Sequence, residues 1–230
     1  MSAAQAPKPV MIKRLVCLAN SRKPPQGRCV AGRELPGETI GGWVRPVSAR
    51  ESEEVSALER QYQDGSEPRL LDVIDIPLLR AKPTGHQQEN WLLEPGWYWV
   101  RRGTFPYDNL GLLAEAAGLL WINGHHTAAG VNDCVPVEYI GGINDSLKLI
   151  LVRDLQLHVF MYYRRRVQAE FSFSGVRYSL WVTDPVIEDT YLAQADGVYN
   201  LDASYLTVSL SGPYLGRCYK LVAAIIGRHP

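Results

Sequence analysis

The sequence is poor in the residues that usually anchor chemistry. It has four cysteines (Cys17, Cys29, Cys134 and Cys218), none in a CxxC pair, too few and too scattered for a disulfide framework. There is no GK[ST] and no GxGxxG, so the glycines of "GRCVAG" do not make a phosphate loop. His125 and His126 near Asp133 and Cys134 match no recognised ligand spacing, and no nucleophile, base or metal set stands out. The expectation is therefore a protein that is not an enzyme and takes no cofactor and no metal. No apolar run approaches the length of a membrane span, and the first ten residues lack a signal peptide's apolar core. A reduced, cytoplasmic, soluble protein without membrane contact is expected. Net charge is lacking too: 24 basic residues balance 24 acidic ones, so any attraction to a polyanion must be local.

Charge is segregated along the 230-residue chain, which is long enough to bury a sizeable core. Lys8, Lys13, Arg14, Arg22, Lys23, Arg28 and Arg33 precede the first acid. Glu51, Glu53, Glu54, Glu59, Asp64, Glu67 and Asp72 then outnumber Arg50, Arg60 and Arg69. Twelve tyrosines and six tryptophans against four phenylalanines favour rings that tolerate half-wet surfaces.

Hydrophobic patterning is mostly of strand type. "MIKRLVCLA", "GRCVAG", "GGWVRPV" and "RLLDVIDIPLL" read as strands, with a short helix between the last two, in which Ser48 and Glu51 fit a capping box. A second β-rich group follows residue 147. "VQAEFSFSGVRYSLWVTDP" is a hairpin turning at Ser174-Gly175, with Phe171 and Phe173 sharing one face and Tyr178 and Leu180 sharing theirs. "VIEDTYLAQ" is a short helix, and "SYLTVSLSG" and "RCYKLVAAIIG" are a final strand pair. The middle is least regular, with a further short helix expected in "NLGLLAEAAGLLW". The fold expected is mainly β: two packed OB-like Greek-key barrels with short helices and an irregular middle insertion. The segments are 1–10 (flexible), 11–80 (first barrel), 81–147 (insertion) and 148–230 (second barrel). An echo between Val16-x-Leu18…Gly27-Arg28-Cys29 and Val208-x-Leu210…Gly216-Arg217-Cys218 hints at repeated topology.

Such barrels hold single strands on the first inter-strand loop and on strands two and three, with cations along the backbone and rings under the bases. The residues of that type are Asn20, Ser21, Arg22, Lys23 and Arg28 on the first hairpin and Trp43 with Arg45 on the next strand. From the second half come Tyr163, Arg164, Arg165, Arg166, Arg177, Trp181 and Lys220. A nucleic-acid partner is expected, with a separately encoded effector protein as a further partner. Two rivals remain: a protein-interaction subunit centred on "WLLEPGWYWV", and a nucleotide-processing enzyme using Asp184, His125 or Cys29.

Several stretches, in order, are similar to the bacterial dual OB-containing domain family: "KRLVCLANSRK", "GRCVAG", "GGWVRPVSARES", "DGSEPRLLDVIDIPLL", "ENWLLEPGWYWV", "LLWINGHHTAAGVND", "VRYSLWVTDP" and "YLTVSLSGPYLGRCYKLVAAII". The resemblance implies two OB-like barrels in one unit, an association with prokaryotic conflict and anti-phage systems, and nucleic-acid recognition beside separate effectors. The matching positions are Asn20, Ser21, Gly27, Arg28, Cys29, Trp43, Arg45, Trp121, Asn123, Thr183, Asp184, Gly216, Tyr219 and Lys220; none is catalytic.

Overall fold

The computed structural model describes residues 10–37, 39–116 and 118–228; residues 1–9 of the expected flexible start lie outside the described residues. The first sheet contains β1 (Met11–Lys23), β2 (Gly27–Glu34), β3 (Trp43–Val47), β4 (Asp72–Ala81), β5 (Asn90–Leu93) and β6 (Val100–Thr104), with helix α1 (Ala57–Arg60) between β3 and β4. Its order is β1-β2-β3-β5-β4, and β4 pairs back onto β1, so five strands close a barrel. Pairing is antiparallel except between β3 and β5, the arrangement of a Greek-key OB barrel. The closing strand, β5, falls within 81–147, so the first barrel runs past residue 80.

Alternation explains the core. Leu15 and Cys17 point inward with Val30, Val44, Ile74, Ile76 and Leu78. A bulge between Cys17 and Ala19 bends β1, and Val16, Leu18 and Ala19 face outward yet are fully buried. The capping box of α1 is Ser56 with Glu59, not Ser48 with Glu51. Ser48 instead donates to the Glu59 carboxylate.

The second sheet is built from β7 (Cys134–Pro136), β8 (Leu147–Val152), β9 (Leu155–Tyr162), β10 (Arg164–Phe173), β11 (Val176–Val182), β12 (Gly197–Leu201), β13 (Ser204–Leu210) and β14 (Arg217–Gly227). Its order is β12-β9-β10-β11-β14-β13-β8, with β7 beside β14. One register runs from Leu147↔Ser209 to Val152↔Ser204 and resumes at Leu155↔Leu201 through Val159↔Gly197. β8 with β9, and β12 with β13, are thus two long strands broken by facing steps at 153–154 and 202–203, and the ring of pairings closes. β11 runs parallel to β14, as β3 does to β5, and α2 (Pro185–Leu192) sits between the third and fourth barrel strands. Both units are OB-like.

Ser174 and Gly175, both at positive φ, turn the β10–β11 hairpin, and Phe171 stacks on Tyr178 at 5.5 Å in the core. The helix expected in "NLGLLAEAAGLLW" does not form; a 3-10 turn, Tyr107–Leu112, precedes irregular chain whose Leu120 enters the second core. The sequence echo is not a topological repeat: it joins hairpin β1–β2, strands one and two of a barrel, to β13–β14, strands four and five.

The barrels meet through small residues. Ala19 and Ala31 pack with Leu147, Ala223 and Ala224, and Trp43 and Leu70 border the contact. The Thr207 hydroxyl donates to the Leu18 carbonyl across it (2.5 Å). No helix among the described residues is long and apolar enough to cross a membrane.

Candidate nucleic-acid interface

The outer face of strands two and three is where an OB barrel holds oligonucleotides. In the first barrel that face is spent on the junction. Ala31 is fully buried against the second barrel, and Trp43 lies half-buried beside Leu147. Arg45 is buried, its Nε donating to Asn90 Oδ1 (2.6 Å) and its guanidinium 2.9 Å from Glu89, which in turn accepts from Ser146. Trp43 and Arg45, expected as a stack-and-charge pair, therefore belong to the packing, since a guanidinium buried against Glu89 and Asn90 is out of reach of a phosphate.

The same face of the second barrel is partly open. Val167, Ala169, Tyr178, Leu180 and Val182 fill the interior, so Arg164, Arg166, Gln168 and Trp181 point outward. Residues 129–131 cover its middle: Gln168 donates to the Ala129 carbonyl, and Val131 bridges Ser179. At the Arg164 end a row of rings remains. The Tyr162 and Phe160 ring centroids lie 5.4 Å and 5.8 Å from that of Trp181. The Arg166 guanidinium stands 4.2 Å from the Trp181 ring centroid. Its Nε is buried without a hydrogen-bond partner, and burial, with Arg164 nearby, lowers its pKa. Arg164 is exposed and makes no ion pair among the described residues.

Helix α2 bridges this face to the first hairpin. Asp184 caps it, accepting from the Val186 and Ile187 amides and also from Ile225, which fastens the helix to β14. Burial raises the Asp184 pKa, and those amides oppose the rise. Arg165 grips the other end, bonding Asp196 and the Leu192 and Gln194 carbonyls (2.6–2.8 Å), so this middle arginine is a clamp, not a free cation. Arg22 crosses from the first barrel: its amide donates to Thr183 (2.8 Å), and its guanidinium meets Glu188 (3.0 Å) and Asp189 (2.5 Å). Burial raises the Glu188 pKa, while Arg22, Arg166 and Arg164 hold it down. Cations from both halves thus converge, but around the carboxylates of α2.

The other expected residues divide. Arg28 is half-buried beside Arg60 and Arg22, its pKa lowered by burial first, with its Nε unpartnered. Lys23 is half-buried on the same hairpin. Ser21 is buried, donating to the Cys29 carbonyl, and Asn20 ties down the Pro68 carbonyl at the rim of a cleft of about 720 Å³ between α2 and residues 68–70. Both act on the backbone. Arg177 pairs with Glu170 (2.7 Å) and lies opposite Ser172, six residues and so about 20 Å along β10 from Arg166. Lys220 is fully buried; its ammonium donates to the Ile122 carbonyl and Asn123 Oδ1 (2.8 Å each), and burial lowers its pKa to about 7. It holds the middle segment to β14 and reaches no surface. Tyr163 is 96% exposed at the β9–β10 tip.

Sequence reasoning missed Phe160 and Glu188, while Tyr162 stood in the "MYYRRRV" stretch it had singled out. Alternation in "LQLHVFMYY" carried Phe160, since Leu155, Leu157 and Val159 claim the opposite face. Of the residues named for an enzymatic reading, Asp184 is the helix cap, Cys29 is half-buried on β2, and His125 stacks on Tyr139 at 5.2 Å. Cys17 is buried, its thiol pushed up to about 12. Among the described residues no group of three or more His, Cys, Asp or Glu side chains could hold a metal ion.

A family model described as "Dual OB-containing domain" matches residues 13–225. No curated protein and no solved structure matches the chain.

Proposed function

The chain belongs to the dual OB-containing domain family, and from that premise we propose that it is a non-catalytic module binding single-stranded nucleic acid on its second barrel. The observation that carries this reading is the outer face of β10 and β11, where Arg166 lies on Trp181, the Tyr162 and Phe160 rings stand against that indole, and Arg164 is without an ion pair among the described residues. Rings accept base faces without regard to sequence, and guanidiniums neutralise the phosphates between them. The track runs on past α2 to Arg22 and Arg28. It serves beside a separately encoded effector in bacterial defence.

Titration of labelled single and double strands at several salt concentrations tests this. Binding that falls with salt and favours single strands is expected; no binding at low salt, or no salt dependence, overturns it.

A second reading draws on the loop joining β5 to β6. Trp97 and Tyr98 are 56% and 54% exposed there, beside the exposed strand β6. Exposed aromatics of this kind suit a protein interface. Loss of a co-purifying partner on Trp97→Ala, with oligonucleotide binding unchanged, assigns that surface to the effector.

A further inference from the structure

The β9–β10 hairpin turns on a single residue. Tyr162 pairs with Arg164, and Tyr163 between them has φ 56°. A left-handed backbone is ordinarily given to glycine or asparagine, and a bulky aromatic there is an outlier that folding alone disfavours. Packing does not explain it. The ring is 96% exposed and touches its neighbour Tyr162 edge-on, at 4.8 Å and 74°. Trp121, also at positive φ, by contrast lies against the second core and donates to Asp145. Leu215 is likewise exposed at positive φ, so it is the row of rings beside Tyr163, together with the strain, that points to an external contact there.

The direction of the ring says which contact. Phe160, Trp181 and Tyr162 form a run tilted by 31° and 38° from one to the next, a path along which bases can lie. Tyr163 stands across the end of that run, nearly perpendicular to Tyr162, so it closes the path instead of extending it. Met161, 64% exposed, and Arg164 flank it with an apolar surface and a free cation. An exposed ring closing a single-strand track, with a cation beside it, is suited to stack on the terminal base pair where a duplex opens.

We propose that Tyr163 recognises the junction between single- and double-stranded nucleic acid, the single strand lying on Trp181 and Tyr162 and the last base pair resting on the Tyr163 ring. This rests on the reading of the β10–β11 face as a nucleic-acid surface. The probes are an unpaired oligonucleotide of about 12 nucleotides, within the span of one such barrel, and the same strand extended into a duplex. Wild-type protein should bind the junction about tenfold more tightly than the strand alone, a factor of the size one stacked base contributes. Tyr163→Gly, which accepts positive φ and so keeps the hairpin with an unchanged or higher Tm, should abolish that preference while leaving single-strand affinity intact. Tyr163→Phe should retain the preference. Equal affinity for the two probes, or a preference that survives Tyr163→Gly, overturns the inference while single-strand binding stands. Failure of both probes to bind overturns the inference and the reading beneath it together.

Discussion

The Arg166 guanidinium lies 4.2 Å from the centroid of Trp181, on the outward side of a strand pair whose inward side is the core of the second barrel. A cation resting on an indole is favourable in itself, and here it also fixes the guanidinium and the ring side by side at the surface. Trp181→Ala should therefore weaken oligonucleotide binding by about 1–3 kcal/mol, the loss of one stacked base. Arg164→Gln, at an exposed site, should leave Tm unchanged and reduce the slope of log affinity against log salt by about 1. Isothermal titration across a salt series reads both. An unaltered slope in Arg164→Gln removes that arginine from the interface.

Glu188 competes for the same cations. Its carboxylate takes the Arg22 guanidinium and lies within the field of Arg166 and Arg164, where a phosphate would otherwise sit. Arg22 is nearly half exposed, so the pair is worth no more than about 1 kcal/mol, and Glu188→Gln should tighten binding by at most about fivefold. The pH dependence has a defined sign. Burial raises the Glu188 pKa, so lowering the pH protonates this carboxyl before ordinary glutamates and frees Arg22 from one of its two carboxylates, Asp189 keeping the other contact. Wild-type affinity should rise as pH falls through that raised pKa, and the rise should be missing from Glu188→Gln. Fluorescence anisotropy with both proteins over a pH series decides it; parallel curves would dismiss the competition.

Local features of the fold were legible in the sequence because they are local in cause. The Ser174-Gly175 turn needs two residues that accept positive φ, and Phe171, Phe173, Tyr178 and Leu180 reach one core by simple alternation. Helix α2 falls on the short helix expected in "VIEDTYLAQ", and the structure adds its start, Asp184 as cap and Pro185 in the first turn. What the sequence concealed depends on contacts far along the chain. Arg45 reads as a surface cation until Glu89, on the approach to β5, reaches it across the parallel β3–β5 pair. Lys220 reads as a strand-face lysine until residues 122–123 fold over it. Arg165 cannot be told from Arg164 and Arg166 without knowing that α2 ends beside it. Ser56 displaced Ser48 as the helix cap because the chain between them forms an irregular turn, Glu53 donating back to Arg50.

The junction between barrels depends on small size. Ala19, Ala31, Ala223 and Ala224 are each no more than 2% exposed, with no room for a longer side chain. Within the first barrel, where β1 crosses β2, Gly32 is tighter still, since a Cβ there would stand 2.0 Å from the Val16 carbonyl oxygen. Ala223→Leu should destabilise the protein by about 1–3 kcal/mol through overpacking, and Gly32→Ala by more, because backbone rather than a flexible side chain must give way. Urea denaturation measures each. Folded Ala223→Leu protein should bind oligonucleotides like wild type if the first barrel's outer face serves only as an interface; altered affinity per folded molecule would return that face to the candidate site.

Lys220 gives the last test, because its sign runs opposite to that of an ordinary ion pair. Its ammonium is buried among the Ile122 carbonyl, Asn123 and the Tyr178 ring, with Asp133 and Cys134 the groups that favour its charge. Burial outweighs them and brings the folded pKa to about 7, well below an unfolded lysine's 10.5. Above the folded value the native protein has released a proton that the unfolded chain still holds, so stability from this group rises with pH between those two limits. Below pH 7 both states are charged and the full penalty of burial remains. Thermal unfolding should show wild type gaining on Lys220→Met between pH 7 and pH 10. Lys220→Met should be the less pH-dependent of the two, while leaving the Ile122 carbonyl and Asn123 without their donor. A wild-type curve that falls relative to Lys220→Met over that range would mean the amine stays charged in the fold, held by Asp133 more strongly than its burial opposes.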